Sequence, residues 1–373
     1  MSRTRILTWF VAPLIAIGIA LVISSIVLLI SDNSPLETFE LMWSFGTRRE
    51  SIASTINRAI PLYFSGLAVA VGFKMGLFNI GVEGQYLMAA LFAGYVGGSI
   101  VLWAPLHIAV VILVAIIVGA LWAGIAGILK TTRGVHEVIS TIMLNFIAFS
   151  VIGYLLFNHF NADPTALNLK TPPLPESALI PNLNWIFSTL GFDEPAGTEM
   201  EGFLFVAIAV GIFYYLLVDR SRFGFELRSS GMNPGASLLA GVNPKRMINT
   251  TMLISGGIAG LVGLSTMMGN LGAYTQDFPR QLGFTGIAVA LLGRNNAIGM
   301  ALGALLFGFL DRSALILDLN DIPKEVVAIM QGVIVLAVVI AYEVVNRWIA
   351  TREIKAAAEA TREMDDDAEA VVA

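Results

Sequence analysis

Residues 6–30 read ILTWFVAPLIAIGIALVISSIVLLI, a run of 25 residues without a charge that follows Arg3 and Arg5. A signal-peptide core holds roughly 7–15 apolar residues, whereas about 20 cross a bilayer as a helix. The run therefore reads as a retained first span, and the rest of the chain continues in the same vein. Of 373 residues 56% are hydrophobic and 13% charged, with a mean hydropathy of +0.78. Soluble domains are about 25% charged, so no aqueous fold hides this much apolar surface. The fold class expected is an all-α polytopic protein of a cell membrane.

Further apolar runs lie near 57–73, 81–101, 107–129, 138–157, 202–218, 248–268, 281–293, 297–317 and 325–345, which makes 10 spans, several of them short or broken by glycine. With the N-terminus inside, 15 of the 22 basic residues fall on the cytosolic side, among them Lys74, Lys130, Arg133, Arg220, Arg228, Lys245 and Arg246. Arg48, Arg49, Arg58, Lys170, Arg280 and Lys324 fall outside, and Arg312 lies within a span. Because Lys and Arg accumulate in cytosolic loops, both termini are expected inside. Two halves of five spans would be related by inversion, although the similarity between them is faint. The organisation expected is one membrane domain over 1–345, with a cytosolic loop at 219–247 and an external loop at 158–200. The proline- and glycine-rich stretches TPPLPESALIPN and GFDEPAGTEM make that external loop an exposed one with a short surface helix. Residues 346–373 form an acidic, Ala-rich tail without an apolar stripe, expected to be disordered or a frayed helix.

A polar island, GMNPGASLLAGVNPKR, interrupts the apolar pattern at 231–246. Asn233 is placed to cap a helix that starts at Pro234, since proline lacks the N–H that would be orphaned there. Gly241 supplies a left-handed stop. The segment Pro234 to Ala240 is thus expected as a short helix with Leu238 and Leu239 exposed, and Asn243 with Pro244 repeat the start signal. Such a turn is either a simple interfacial connection or a knob that inserts into a groove of a soluble partner.

The stretch FELRSSGMNPGASLLAGVNPKRMINTTMLISGGIAGLVG (225–263) resembles the cytosolic coupling loop and following span of ABC importer permeases for branched-chain amino acids, simple sugars and nucleosides. GFKMGLFNIGVEGQYLMAA (72–90), GVHEVISTIMLNFIA (134–148) and GFTGIAVALLGRNNAIGMALGALLFG (283–308) resemble the same family, and the likeness covers about residues 55–345. FNIGVEGQ is most similar to the nucleoside-type branch. The resemblance implies that Asn233, Pro234, Ala236, Leu238, Leu239, Ala240 and Gly241 couple the chain to a separate cytosolic ATPase. It further implies a second permease subunit, homologous or identical, and an extracytoplasmic substrate-binding protein. ATP would be used by the partner subunit, with no cofactor held by this chain and no nucleic acid involved.

Within FNIGVEGQ, Glu83 lies in a run otherwise suited to lipid, where an ionised carboxylate is costly unless it faces protein or water. Gly81 and Gly84 allow the backbone to break, which membrane depth tolerates only where the break is buried in protein or lines a cavity. One reading places Asn79, Glu83 and Gln85 along the substrate path. The other has Glu83 capping a helix start or pairing with Lys74. Asn145, in the middle of STIMLNFIAF, either bonds a ligand or joins two helices at about 0.6–2 kcal/mol. Asp311 and Arg312 point apart on a helix and are expected to find partners on other spans. Gly256 with Gly260, and Gly299 with Gly303, have the spacing that lets helices approach closely.

The chain has no GxxxxGK[ST] with which to cradle ATP phosphates, no nucleophile elbow and no cysteine. His107, His136 and His159 have no metal-ligand spacing and are expected at surfaces or interfaces. Enzyme chemistry is therefore disfavoured, and no metal is expected. An ion-coupled carrier remains the alternative from another class, with Glu83 or Asp311 as its titrating group.

Overall fold

The structure, a computed structural model, describes residues 12–162, 165, 168–189, 199–320, 322–344, 347, 348 and 351. Arg3, Arg5 and nearly all of the acidic tail lie outside the described residues. The chain divides into two units, residues 41–316 in one and 1–40 with 317–373 in the other.

The described residues are helical throughout, apart from loops and one isolated bridge between Lys170 and Thr275. Helices α1 (Ala12–Ile30) and α2 (Pro35–Gly46) meet at a sharp bend. They are followed by α3 (Arg49–Phe73), α4 (Val82–Ser99), α5 (Ala104–Arg133) and α6 (Glu137–Leu155). Next come the short α7 (Asn184–Thr189), α8 (Phe203–Tyr215), α9 (Arg222–Met232), α10 (Pro234–Leu239) and α11 (Pro244–Gly260). The last are α12 (Leu282–Leu292), α13 (Ala297–Asp318) and α14 (Glu325–Val344).

By length and composition 7 of these helices suffice to cross a membrane, or 8 if the bent α1–α2 pair is one span. Two of the ten runs expected from the sequence are not among these candidates. The run at 281–293 is α12, whose 11 residues extend about 17 Å, roughly half of a hydrocarbon core of about 30 Å. The run at 81–101 becomes helical only from Val82, and α4 is buried along almost its whole length, Glu83 and Gln85 included. The apolar side chains of α4 pack against protein neighbours.

In the unit 41–316, α3 and the helix that runs from α11 to Leu271 form the interior, with 72% and 78% of their most apolar windows buried. Helices α5 and α8, with 28% buried each, keep an apolar face outward, as expected of lipid-facing spans. The interior is a continuous core that includes Phe64, Tyr86, Leu91, Phe203, Leu264 and Phe278. Helix α5 ends where Gly134 adopts φ +69°, with Lys130 and Arg133 in its last turn favouring the negative end of the helix dipole.

The helices α5 and α11 cross through glycine. A Cβ at Gly260 would stand 2.1 Å from the Ala115 carbonyl oxygen, and one at Gly256 would stand 2.3 Å from that of Gly119. Overpacking of this kind costs about 1–3 kcal/mol. Gly260→Ala is therefore expected to lower the thermal unfolding midpoint of the purified protein. Gly153→Ala, with nothing within 4 Å of the added carbon, is expected to leave it unchanged or raise it slightly. Equal midpoints for the two variants would refute the close crossing. The Gly299–Gly303 pair serves a different contact, since Gly299 packs on the Gly293 carbonyl and Gly303 on Leu292.

Two further expectations are revised. His107 is fully buried, held between the Ser177 hydroxyl and the Gly97 carbonyl at 2.9 Å each, because its ring can satisfy two partners at once. The described part of 158–200 is not merely an exposed loop. Thr171 N–H donates to the Tyr274 carbonyl at 2.9 Å and Leu174 N–H to that of Gly272 at 2.7 Å, and Thr171, Leu174, Ala178 and Leu183 are buried. Prolines that prevent a long helix still leave backbone groups free to pair with a neighbouring segment.

Candidate functional site

The chain leaves α3 at Phe73, turns at Gly76 with φ +73°, and re-enters as α4. Every polar side chain of FNIGVEGQ is used to hold this break. The Asn79 amide donates to Gln85 Oε1 at 3.0 Å and to Ser255 Oγ at 2.8 Å, and its oxygen accepts from Gln85 Nε2 at 2.9 Å and from Gly81 N–H at 3.0 Å. Ser255 donates onward to the Ala68 carbonyl at 2.6 Å, tying α11 to α3.

Glu83 reaches across to the start of α12. Its Oε1 accepts from Gln281 N–H at 2.6 Å and lies 3.1 Å from the Tyr86 hydroxyl, while Oε2 accepts from Gly283 N–H at 2.9 Å. Tyr86 has one hydroxyl proton, shared between Glu83 and the Pro279 carbonyl at 2.8 Å. Glu83 thus lies in the first turn of α4 and does not pair with Lys74, whose ammonium stands 3.8 Å from Asp219. Asn145 accepts from Gly84 N–H at 2.9 Å and donates to the Ile80 carbonyl at 3.0 Å, so α6 clasps the break from its other side. The four residues singled out from the sequence therefore form one buried framework around residues 79–85.

Beside this framework, and not lined by any of those four, is a polar cavity of about 560 Å³. Pockets that hold drug-sized ligands are about 300–1,000 Å³. Helix α3 contributes Ser54, Asn57 and Arg58, the end of the α11 helix contributes Thr266 and Asn270, and α13 contributes Asp311. Leu282, between the two N–H groups that Glu83 holds, and Pro279, two residues before the first of them, also face it. Asn182, Glu199 and Glu201 complete the polar lining. Asn57 fixes the last of these segments, since its amide donates to the Glu199 carbonyl at 2.7 Å and its oxygen accepts from Glu201 N–H at 3.0 Å. The adjacent Arg312 turns away, donating to Ser51 Oγ at 3.2 Å with its guanidinium 4.7 Å from the Phe45 ring centre.

Burial pushes the Glu201 acid up to about 7. The polar part of the lining is a set of carboxamides, hydroxyls and carboxyl groups with one guanidinium, that of Arg58, suited to a small solute with many hydrogen-bonding atoms. Sequence reasoning flagged Asp311 only as an ionisable group and missed Asn57, Glu201 and Asn270. Their signal was a polar side chain at the edge of each apolar run, on the side of the chain that the charge bias places outside.

On a different surface, α10 is as the sequence specifies. Asn233 Oδ1 accepts from Ala236 N–H at 3.0 Å, Pro234 is the first helical residue, and Gly241 has φ +82°. Ser237 packs inward, while Leu239 is 92% exposed and Leu238 61%. Asn243 caps the next helix through Arg246 N–H at 3.2 Å. The segment before α10 touches the broken region, for a Cβ at Gly231 would stand 2.6 Å from the Met75 carbonyl oxygen. Among the described residues no group of His, Cys, Asp and Glu is arranged to hold a metal ion.

Comparison with known proteins places residues 51–339 within the family model described as branched-chain amino acid transport system, permease component. The guanosine ABC transporter permease protein NupP of Bacillus subtilis is 37% identical over 91% of this chain and 95% of its own length. The nucleoside ABC transporter permease protein NupB of Lactococcus lactis is 30% identical over 95% and 97%. The glucose ABC transporter permease protein TsgB13 of Haloferax volcanii is 30% identical over 87% and 85%. No solved structure matches the chain significantly.

Proposed function

The chain belongs to the family of branched-chain amino acid transport system permease components, and we propose that it carries a nucleoside inward through the polar cavity beside the broken helices. It is a membrane-spanning transport subunit and not an enzyme. The observation that carries the substrate reading is a hydrogen-bonding cavity of about 560 Å³ within an apolar helical unit, in a chain whose relatives of 37% and 30% identity are named for guanosine and nucleosides. A ribose with a base offers many donors and acceptors, which suits carboxamide, hydroxyl and carboxyl groups. The glucose permease at 30% keeps a simple sugar as the second reading, since hydroxyl groups fit the same lining.

The energy enters from partners. A cytosolic ATPase docks on α10 through Leu238 and Leu239, with Asn233, Pro234, Ala236, Ala240 and Gly241 setting the shape of that helix. An external binding protein delivers the solute to the cavity, whose lining segments fall on the side the charge bias places outside. A second permease subunit completes the pair. The short elements α4 and α12 are membrane-embedded pieces of a 10-element arrangement with both termini inside.

Motion is passed along a continuous series of contacts. Gly231 lies on Met75, Asn79 and Gln85 hold the break that follows, and Glu83 holds the 281–283 backbone next to Pro279 and Leu282. In this reading Asn79, Glu83, Gln85 and Asn145 act on the substrate path by positioning its wall. The series is spatial, and energetic coupling along it is tested by the substitutions below.

The deciding experiment is uptake of labelled purine nucleosides and of ribose into cells that express the chain with its partner subunits, under ATP depletion that spares the proton gradient. Uptake is expected to collapse with ATP, and the labelled compound preferred names the solute. Uptake that survives ATP loss and fails with a protonophore would overturn the reading.

A further inference from the structure

Among the described residues that line the cavity, Glu201 stands apart. Its Oε2 is buried without a hydrogen-bond partner, and its carboxyl carbon lies 2.9 Å from where a Cβ on Gly269 would be. Asn57, by contrast, has both ends of its amide engaged by backbone. A buried polar atom left unsatisfied costs about 1–3 kcal/mol, a cost relieved when the carboxyl, packed beside Gly269, turns to present both oxygens to a solute in the cavity. The charged groups around the cavity are Arg58 on α3, Asp311 on α13 and Glu199 on the same segment. Arg280, next to Pro279, is drawn to the Phe149 ring at 5.9 Å, and Ile180, Asn182, Thr266, Gly269 and Asn270 carry no charge.

We propose that Glu201 selects the solute by its hydrogen-bonding edge, accepting as a carboxylate from two adjacent N–H donors and pairing as a carboxylic acid with one donor beside one acceptor. A guanine presents the first kind of edge and an adenine the second. The proposal rests on the nucleoside reading above. An ionised carboxyl only accepts, whereas the acid donates once and accepts once. A mismatched edge leaves a buried donor or acceptor unpaired, and sites of this kind reject the wrong partner strongly. The raised acid, about 7, makes both forms present in the working range, and burial is the cause of that shift.

The test uses the whole complex, with ATPase and binding protein, in proteoliposomes, and reads initial uptake of labelled guanosine and adenosine. Between about pH 6 and pH 8 the ionised fraction of a group titrating near 7 rises about tenfold. Because the protonated fraction falls by about the same factor over that range, the guanosine-to-adenosine ratio, divided by the binding protein's own preference at each pH, is expected to rise by up to about a hundredfold. In Glu201→Gln the amide offers one donor and one acceptor at any pH, so the ratio is expected to stay flat and near the unsubstituted value at low pH. A flat ratio for the unsubstituted complex overturns the proposal without recourse to the variant, as does a ratio that still rises in Glu201→Gln. Absence of ATP-dependent uptake of either nucleoside at both pH values would instead refute the nucleoside reading itself.

Discussion

In the Leu239→Asp variant, ATP-driven uptake is expected to fall at least about thirtyfold while the chain still inserts and folds. The side chain is 92% exposed, so its replacement removes no internal packing. If Leu239 fills a groove on an ATPase, truncating such an anchor costs about 2 kcal/mol or more, and a carboxylate in that groove adds a desolvation cost. Gly241→Pro reaches the same end by another route. Proline fixes φ near about −65° where the backbone has φ +82°, and it removes the N–H that bonds the Leu238 carbonyl at 3.0 Å. Gly241→Ala meets no neighbour within 4 Å and bears only the left-handed backbone penalty, about 1–2 kcal/mol, so it should be the milder of the two. Detergent-extracted monodispersity reports folding, co-purification of the ATPase reports docking, and uptake reports coupling. Normal uptake by well-folded Leu239→Asp would remove α10 from the docking role.

The helix α10 was legible because its signals are local. A capping asparagine, a proline at the first position and a glycine after the last turn act within one turn of the backbone, and no distant residue is required to read them. At 81–101 and 281–293 hydropathy registers apolar character without registering what surrounds it. Helix α4 is enclosed by its neighbours, α5, α6 and α11 among them, whereas α12 packs one face on α3, where a Cβ at Gly286 would meet Ser65 Oγ at 1.9 Å, and leaves Phe284 and Leu291 exposed. The cavity was hidden for a related reason. Asn57, Glu201, Asn270 and Asp311 are separated by up to 254 positions in the chain, and each alone resembles an ordinary polar residue at a span edge. Only packing of α3, the α11 helix and α13 brings them together.

The polar word FNIGVEGQ occupies the ground between these cases, and Glu83→Gln is the substitution that tests it. Its sequence announces a break in the membrane, and the structure shows what the break holds. Two backbone N–H groups and a hydroxyl converge on Glu83, at 2.6, 2.9 and 3.1 Å, an arrangement suited to a group that only accepts. Glutamine keeps one accepting oxygen and turns an N–H toward a donor that has no other partner at hand. Hydrogen bonds to a charged group contribute about 1.5–3 kcal/mol, so the 281–283 backbone should lose its fixed place beside the cavity. Uptake is expected to fall about tenfold or more beyond any loss of folded protein, by the same conversion of free energy to rate. Glu37→Gln, on the exposed side of α2, should transport as the unsubstituted chain does. Gly283→Ala places a carbon 2.4 Å from the Glu83 backbone nitrogen and should reproduce the defect from the other partner. Equal, mild effects for Glu83→Gln and Glu37→Gln would detach the framework from transport and leave it a structural brace, with the cavity wall held by packing alone.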